Sequence, residues 1–237
     1  QIAVQRGNYL FNKVTGNKIK AVVPVHVFGL PANILEIKKI CQKWNIPMVE
    51  DAAEALGSSI SISSNDNRHC GCFGDIGILS FNGNKIITTG GGGALLTNDH
   101  EIAVHAKHLS TTAKVKHDWR FIHDQIGFNY RLPNLNAALG CAQMQKLPFF
   151  IESKRNLFVK YFEAFRNVKG VKLLSEPKNA KSNYWLNTII LEDKLQRDQF
   201  LDQTNSSGIM TRPIWTLMHT LPMFKYAQCD DRVDRGK

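Results

Sequence analysis

Apolar residues run almost unbroken through Ile19–Phe28, where Ile-Lys-Ala-Val-Val-Pro-Val-His-Val-Phe is rich in β-branched side chains. Such a run predicts a strand covered on both faces. After Pro31 the period changes. Ile34, Ile37, Cys41 and Trp44 recur at helical spacing, and Asn33 with Glu36 three residues on has the form of a capping box. Ile46–Val49 returns to a strand pattern, so Ile19–Val49 predicts one βαβ unit with parallel strands. Asp51 falls just beyond the carboxyl end of the second strand, the edge at which open α/β sheets bind ligands.

The pattern continues in short elements. Ser58–Gly74 is polar and predicts a loop, Ile76–Phe81 and Ala94–Thr97 predict strands, and Asn98 or Asp99 caps a helix to about Leu109. Thr111–Ile126 lacks a clean period, carries His117, Arg120 and His123, and predicts a surface or interface loop. Asn134–Leu147 is alanine-rich and helical, Pro148 marks a boundary, and Glu152–Phe165 predicts another helix. Val171–Leu174 and Tyr184–Leu191 predict strands and Leu195–Thr204 a helix. Gln1–Lys18 predicts a polar lead-in. The expected fold is α/β, a mostly parallel sheet with helices on both faces over residues 1–147 and a smaller α+β domain over residues 148–237.

At 237 residues the chain is long enough to bury a core, and no apolar run reaches the roughly 18 residues of a membrane span. The formal net charge of +10 admits an anionic partner. That partner is nucleic acid, anionic lipid or a phosphorylated small molecule, and the basic residues are dispersed, without a Lys/Arg block or an RNA-reading aromatic motif, which argues against nucleic acid. The five cysteines are odd in number and mostly isolated, a pattern of a reducing cytosol, so a cytoplasmic location is expected. His69-Cys70-Gly71-Cys72 has no second ligand pair at zinc-site spacing, and no metal is expected.

One segment carries chemistry more than the rest. Lys85 closes Ser80-Phe81-Asn82-Gly83-Asn84-Lys85 and precedes Thr88-Thr89-Gly90-Gly91-Gly92-Gly93. A lone lysine before small residues suits a reactive amine that swings in a backbone-crowded pocket. Pyridoxal phosphate (PLP) chemistry needs such an amine to form a Schiff base, and an acid such as Asp51 to hold the pyridine nitrogen protonated.

Together with Val49-Glu50-Asp51-Ala52-Ala53-Glu54-Ala55-Leu56-Gly57, Gly127-Phe128-Asn129-Tyr130-Arg131 and Pro24-Val25-His26-Val27-Phe28-Gly29, this segment resembles the DegT/StrS-type nucleotide-sugar aminotransferases of PLP fold-type I. The resemblance is closest to the branch that aminates 4-keto-6-deoxy amino sugars for bacterial surface glycans. It implies Lys85 as the catalytic residue, joined to the cofactor and moving the proton. It implies Asp51 on the ring nitrogen, Ser80 on the phosphate, and Glu54 where relatives carry His or Gln near the phenolic oxygen. Asn129 would reach the phosphate of a neighbouring subunit, which makes the expected form a homodimer with shared sites. His26, Arg212 and His219 are candidate substrate contacts. The reaction implied moves an amino group from glutamate to a nucleotide-linked keto sugar by a ping-pong cycle.

Two departures bear on this expectation. Gly91 stands where the family pattern has a glutamate. Nothing before Ile19 supplies the Gly-Thr helix start that clamps the phosphate, so the chain is expected to be a shortened one, at its N-terminus and also at its C-terminus. A non-catalytic chain that only dimerises or binds is the rival from another class. A PLP-dependent sugar dehydratase is the rival within the fold, and Lys85 argues against it because those enzymes replace the lysine.

Overall fold

The structure, a computed structural model, describes residues 3–229. Strands β1 (Ala3–Arg6) and β2 (Tyr9–Asn12) form an antiparallel hairpin, where the sequence predicts only a lead-in. Helix α1 (Ile34–Lys43) precedes β3 (Val49–Asp51), and β4 (Ser59–Ser63) and β5 (Asp66–His69) form a second hairpin. Then come β6 (Ile76–Ser80), β7 (Gly93–Leu96), α2 (His100–Ser110) and the long α3 (Asn134–Phe165). Strands β8 (Val171–Leu173), β9 (Ala180–Lys181) and β10 (Ile189–Leu191) and helix α4 (Lys194–Ser206) complete the order. The chain makes two compact units, Gln1–Val168 with Leu173–Ile189 and Lys169–Lys172 with Ile190–Lys237.

The sheet that positions the candidate site lies in the first unit. β3 pairs in parallel with β6, and β6 pairs antiparallel with β7. Along the other side of β3, Val22 and Val25 make parallel bridges to Met48 and Asp51. The parallel relation expected for Ile19–Phe28 and Ile46–Val49 is present, but the continuous strand is not. Pro24 has no N–H to give the ladder, and the segment bends into a 3₁₀ turn at Val27–Gly29.

The register sorts the side chains onto two faces, because successive residues of a strand alternate. Glu50 aligns with Gly77 and Leu96, and Leu79 with Ala94. This back face packs into the core with Ile34 and Cys41 of α1, Met48, Ala52, Phe73 and Ile87. On the front face Asp51 aligns with Val25 and Ile78, and Ile78 with Leu95. There Val25, Ile78 and Leu95 remain 44%, 41% and 46% exposed, so among the described residues only the back is covered. Gly77 permits the close fit behind, since a Cβ there would stand 1.9 Å from the Gly71 carbonyl oxygen.

Asp99 caps α2 as expected, accepting the Glu101 and Ile102 N–H groups at 2.8 and 3.1 Å. Asn33 occupies the N-cap of α1 without a side-chain bond, and Glu36 pairs with Lys39 at 2.7 Å, so no capping box forms. Ser58–Gly74 is the β4–β5 hairpin and its flanking turns, and β9 extends it on the other edge of β4. Pro148 lies inside α3, so one helix replaces the two expected, and the expected boundary between residues 147 and 148 falls within it. Leu147 and Phe150 both pack on the core, which holds the turns before and after the proline in place. Of the expected Tyr184–Leu191 strand only Ile189–Leu191 forms one, and Tyr184 is left-handed at φ +46.

Candidate functional site

Asp51 and Ser80 end neighbouring parallel strands. Asp51 is opposite Ile78, and Ser80 follows two residues later on the same face. One Asp51 carboxylate oxygen accepts the Ala53 N–H at 3.1 Å; its other oxygen has no partner among the described residues. Ser80 Oγ accepts the Asn82 N–H at 3.3 Å. Beyond Ser80 the chain makes a closed excursion: the Phe81 N–H donates to Gly92 O at 2.9 Å, and Thr89 N–H returns to Phe81 O at 3.0 Å. Lys85 sits at the head of this loop, and positive φ at Gly90 and Gly92 (+80 and +107) lets the chain turn back into β7.

The Lys85 ammonium lies 3.7 Å from Glu54 Oε1 and 4.1 Å from the centre of the Trp185 ring. Glu54 Oε2 accepts the Phe28 N–H at 2.7 Å, holding Phe28 at the uncommon φ of +61. A cavity of about 230 Å³ opens beside Lys85, lined also by Asn84, Gln143, Phe149, Lys154 and Trp185.

Behind the sheet lies a second polar group of different character. Glu50 is fully buried and accepts from Gly71 N–H at 2.8 Å, Gly74 N–H at 2.5 Å and Phe73 N–H. His26 Nδ1 accepts the Ala32 N–H at 3.0 Å, so its proton is on Nε2, which donates to Glu50 Oε2 at 3.1 Å. Burial pushes the Glu50 carboxyl up, but the bonds from His26 and the three amides outweigh it and hold the group below its ordinary value. His26, the candidate substrate contact, is placed behind the sheet in this geometry. Both ring nitrogens are engaged and the side chain is sealed, so it supports β3 from behind.

The other expected residues are distributed. Asn129 is exposed on the 111–133 loop, where its Oδ1 accepts from Arg131 at 3.1 Å and the backbone bridges to Thr111. Arg212 and His219 belong to the second unit. Arg212 is exposed with its guanidinium 3.8 Å from Met210 Sδ, and His219 lies in a 3₁₀ turn at Met218–Thr220. His69 Nε2 accepts the Gly57 N–H at 2.6 Å, and among the described residues no group of His, Cys, Asp and Glu could hold a metal. Gly91 has open space around the position where a side chain would start.

Sequence reasoning missed Ser182-Asn183-Tyr184-Trp185. Ser182 Oγ donates to Gly29 O at 2.9 Å, and Arg155 braces the segment through Ser182 O at 2.7 Å and a paired contact with Glu176 at 2.7 and 2.8 Å. Burial pushes the Glu176 carboxyl up, but Arg155 and the Ser182 N–H prevail and hold it below its ordinary value. A polar-aromatic run leading into an expected strand was the available signal.

The front edge suits a flat, protonated aromatic ring with a phosphate. Asp51 offers a carboxylate oxygen between the exposed Val25 and Ile78, and Ser80 adds a hydroxyl on the same face. Residues 8–234 match the DegT/DnrJ/EryC1/StrS aminotransferase family, and the chain belongs to that family. Pyridoxal phosphate is the family's cofactor. EpsN of Bacillus subtilis, named as a pyridoxal phosphate-dependent aminotransferase, is 37% identical over 224 residues, which are 94% of this chain and 56% of EpsN. A GDP-perosamine synthase of Escherichia coli O157:H7 is 34% identical over 212 residues, 90% of this chain and 56% of the synthase. The crystal structure of the aminotransferase TlmJ from Streptoalloteichus hindustanus superposes with a TM-score of 0.82 at 28% identity, covering 90% of this chain and 56% of TlmJ. The chain therefore spans a little over half the length of the relatives it matches. The fold is that of the fold-type I sugar aminotransferases, in an incomplete form.

Proposed function

We propose that the protein transfers an amino group from glutamate to a nucleotide-linked keto sugar, with pyridoxal phosphate as cofactor. The observation that carries this reading is the placement of Asp51 and Ser80 on one face at the ends of adjacent parallel strands, with Lys85 on the loop that follows. When bound, the cofactor supplies an electron sink that lets nitrogen leave one carbon and join another. Lys85 Nζ would link covalently to it and, once released, take and return the proton at the reacting carbon. The Asp51 carboxylate would accept the ring N–H, and Ser80 Oγ would donate to the phosphate. Glu54 would stand beside the amine. Arg212, with a fork suited to a diphosphate or carboxylate, and His219 would serve the substrate.

Two copies would complete each site, with Asn129 reaching the phosphate held by the partner subunit. In support, the loop that carries Asn129 leaves Trp119 73%, Phe121 80% and Ile126 87% exposed, an apolar surface that monomers seldom present. Residues 1–147 would form part of a large cofactor-binding domain and residues 148–237 part of a smaller one. No helix among the described residues is long and apolar enough to cross a membrane, and a cytoplasmic location fits the nucleotide-linked substrate. GDP-perosamine synthases and dTDP-linked sugar transaminases among the relatives support the substrate class.

The test is borohydride reduction of the protein with added pyridoxal phosphate, followed by peptide mass mapping and an assay of 2-oxoglutarate released with nucleotide keto sugars. The expected label falls on Lys85. A label on other lysines alone overturns the reading.

A further inference from the structure

The Lys85 amine rests against two residues whose presence the transfer reaction does not by itself explain. Only 13% of the Lys85 side chain is exposed, and its amine lies beside both Trp185 and Glu54. Both walls are fixed from behind. Trp185 is buried, and its Nε1–H donates to Asn84 O at 2.6 Å, pinning the residue before the lysine. Glu54 is tied to the Phe28 N–H through its other oxygen. Asn183, fully buried, spans the two walls: its Nδ2 donates to Glu54 O at 2.8 Å and Leu56 O at 2.9 Å, and its Oδ1 accepts the Trp185 N–H at 2.8 Å.

An indole face is the best aromatic partner for an ammonium group, and a nearby carboxylate adds charge attraction. The 3.7 Å separation from Glu54 is that of an ion pair without a formed hydrogen bond. The amine is thus held in a defined place by non-directional attraction, which a small side-chain rotation can undo. A free lysine otherwise explores many rotamers on its four-carbon stem, and each wrong one delays its return.

We propose that Glu54 and Trp185, braced by Asn183, are positioning residues that receive the Lys85 ammonium whenever the amine is not joined to the cofactor. This rests on the reading of Lys85 given above, and no covalent step is involved. The cradle gives the free amine a defined resting state, with which joining to the cofactor competes.

The experiment is limiting acetylation of the full chain by acetic anhydride without added cofactor, read by peptide mass mapping. Lys154 is the internal reference, because it lines the same cavity and its Nζ donates to Trp185 O at 3.2 Å. Glu54→Gln keeps an acceptor for Phe28 and removes the charge; the Lys85-to-Lys154 modification ratio is expected to rise about three- to tenfold. Trp185→Phe keeps a ring but a weaker one, and about a two- to fivefold rise is expected. Trp185→Leu should give a larger rise; if it fails to fold, the other two variants decide. An unchanged ratio in both Glu54→Gln and Trp185→Phe overturns the cradle, and so does an equal rise at both lysines, the mark of general loosening. Borohydride reduction of the unsubstituted protein with added pyridoxal phosphate separately tests the assignment of Lys85. A missing cofactor label there would defeat that assignment, while the acetylation ratio would still decide the cradle.

Discussion

On β3, Glu50 points to the back of the sheet and Asp51 to the front. Behind the sheet the carboxylate is sealed and saturated, with His26 and the amides of Gly71, Phe73 and Gly74 all donating to it. In front, Asp51 is partly exposed, and among the described residues its carboxylate accepts one hydrogen bond, from Ala53. The two side chains differ by one methylene and stand one residue apart. Their difference is therefore one of environment, and it teaches which carboxylate has bonding capacity left for a ligand. The saturated group holds the strand and the 71–74 turn together, and the unsaturated one is presented at the edge.

The sharpest way to break this comparison is to delete each carboxylate. Glu50→Ala leaves the His26 N–H and three backbone N–H groups without their acceptor in the core. Breaking a buried pair of this kind costs about 3–5 kcal/mol, and loss of folding is an acceptable form of the same result. Asp51→Ala is expected to change the unfolding free energy by less than about 1 kcal/mol. Urea denaturation followed by circular dichroism measures both. Similar losses at the two positions would show that Asp51 is also structural.

The complementary experiment exchanges stability for ligand affinity. Asp51→Ala and Ser80→Ala should each weaken pyridoxal phosphate binding about tenfold to a hundredfold, since a charge-assisted hydrogen bond contributes about 1.5–3 kcal/mol. Thermal midpoints should stay close to that of the unsubstituted chain. Asn129→Ala should weaken binding in the same direction without unfolding the chain, and more in a dimeric preparation than in a monomeric one. Absorbance titration with the cofactor reads all three. An Asp51→Ala protein that binds the cofactor with unchanged affinity would remove the functional meaning of the front face.

The two faces were unequally legible in the sequence. The placement of Asp51 and Ser80 at a carboxyl edge follows from apolar runs that end beside them, a local signal of period two and helical spacing. Glu50 shared that signal, but its partners come from Gly71–Gly74 and His26, and only the folded register shows that they converge. His26 is a candidate substrate contact through the resemblance, and nothing local in the sequence marks the Glu50 and Ala32 partners that the fold brings to it. Pro24 and Pro148 acted in opposite ways: one broke the expected strand, and the other failed to end a helix whose flanks pack on the core. Asn183 and Trp185 were hidden for a further reason. Their partners Glu54, Leu56 and Asn84 lie about a hundred or more positions away, and no periodicity encodes such pairings.

Acid should distinguish the regions more gently. The Glu50 carboxyl has an ordinary value of 4.5 and is held lower in the folded chain, because the bonds from His26 and the amides overcome burial. Glu176 starts from the same 4.5 and is also held lower, by Arg155 and the Ser182 N–H against burial. For a group depressed on folding, the unfolded chain binds the proton first. Its stabilising contribution is then present above about pH 4.5 and is lost as pH falls through the lower folded value. The unfolding free energy should therefore decline below that point, with each group adding at most about 1.4 kcal/mol per pH unit. Glu50→Gln should make the decline shallower by less than one proton, even though it lowers stability at neutral pH. Glu176→Gln should do the same to a smaller degree, since its partner Arg155 is nearer the surface than His26. Unfolding curves collected between about pH 3 and 7 test the sign directly. An acid slope that is unchanged in Glu50→Gln would mean that the carboxyl behind the sheet is not the one that proton uptake releases.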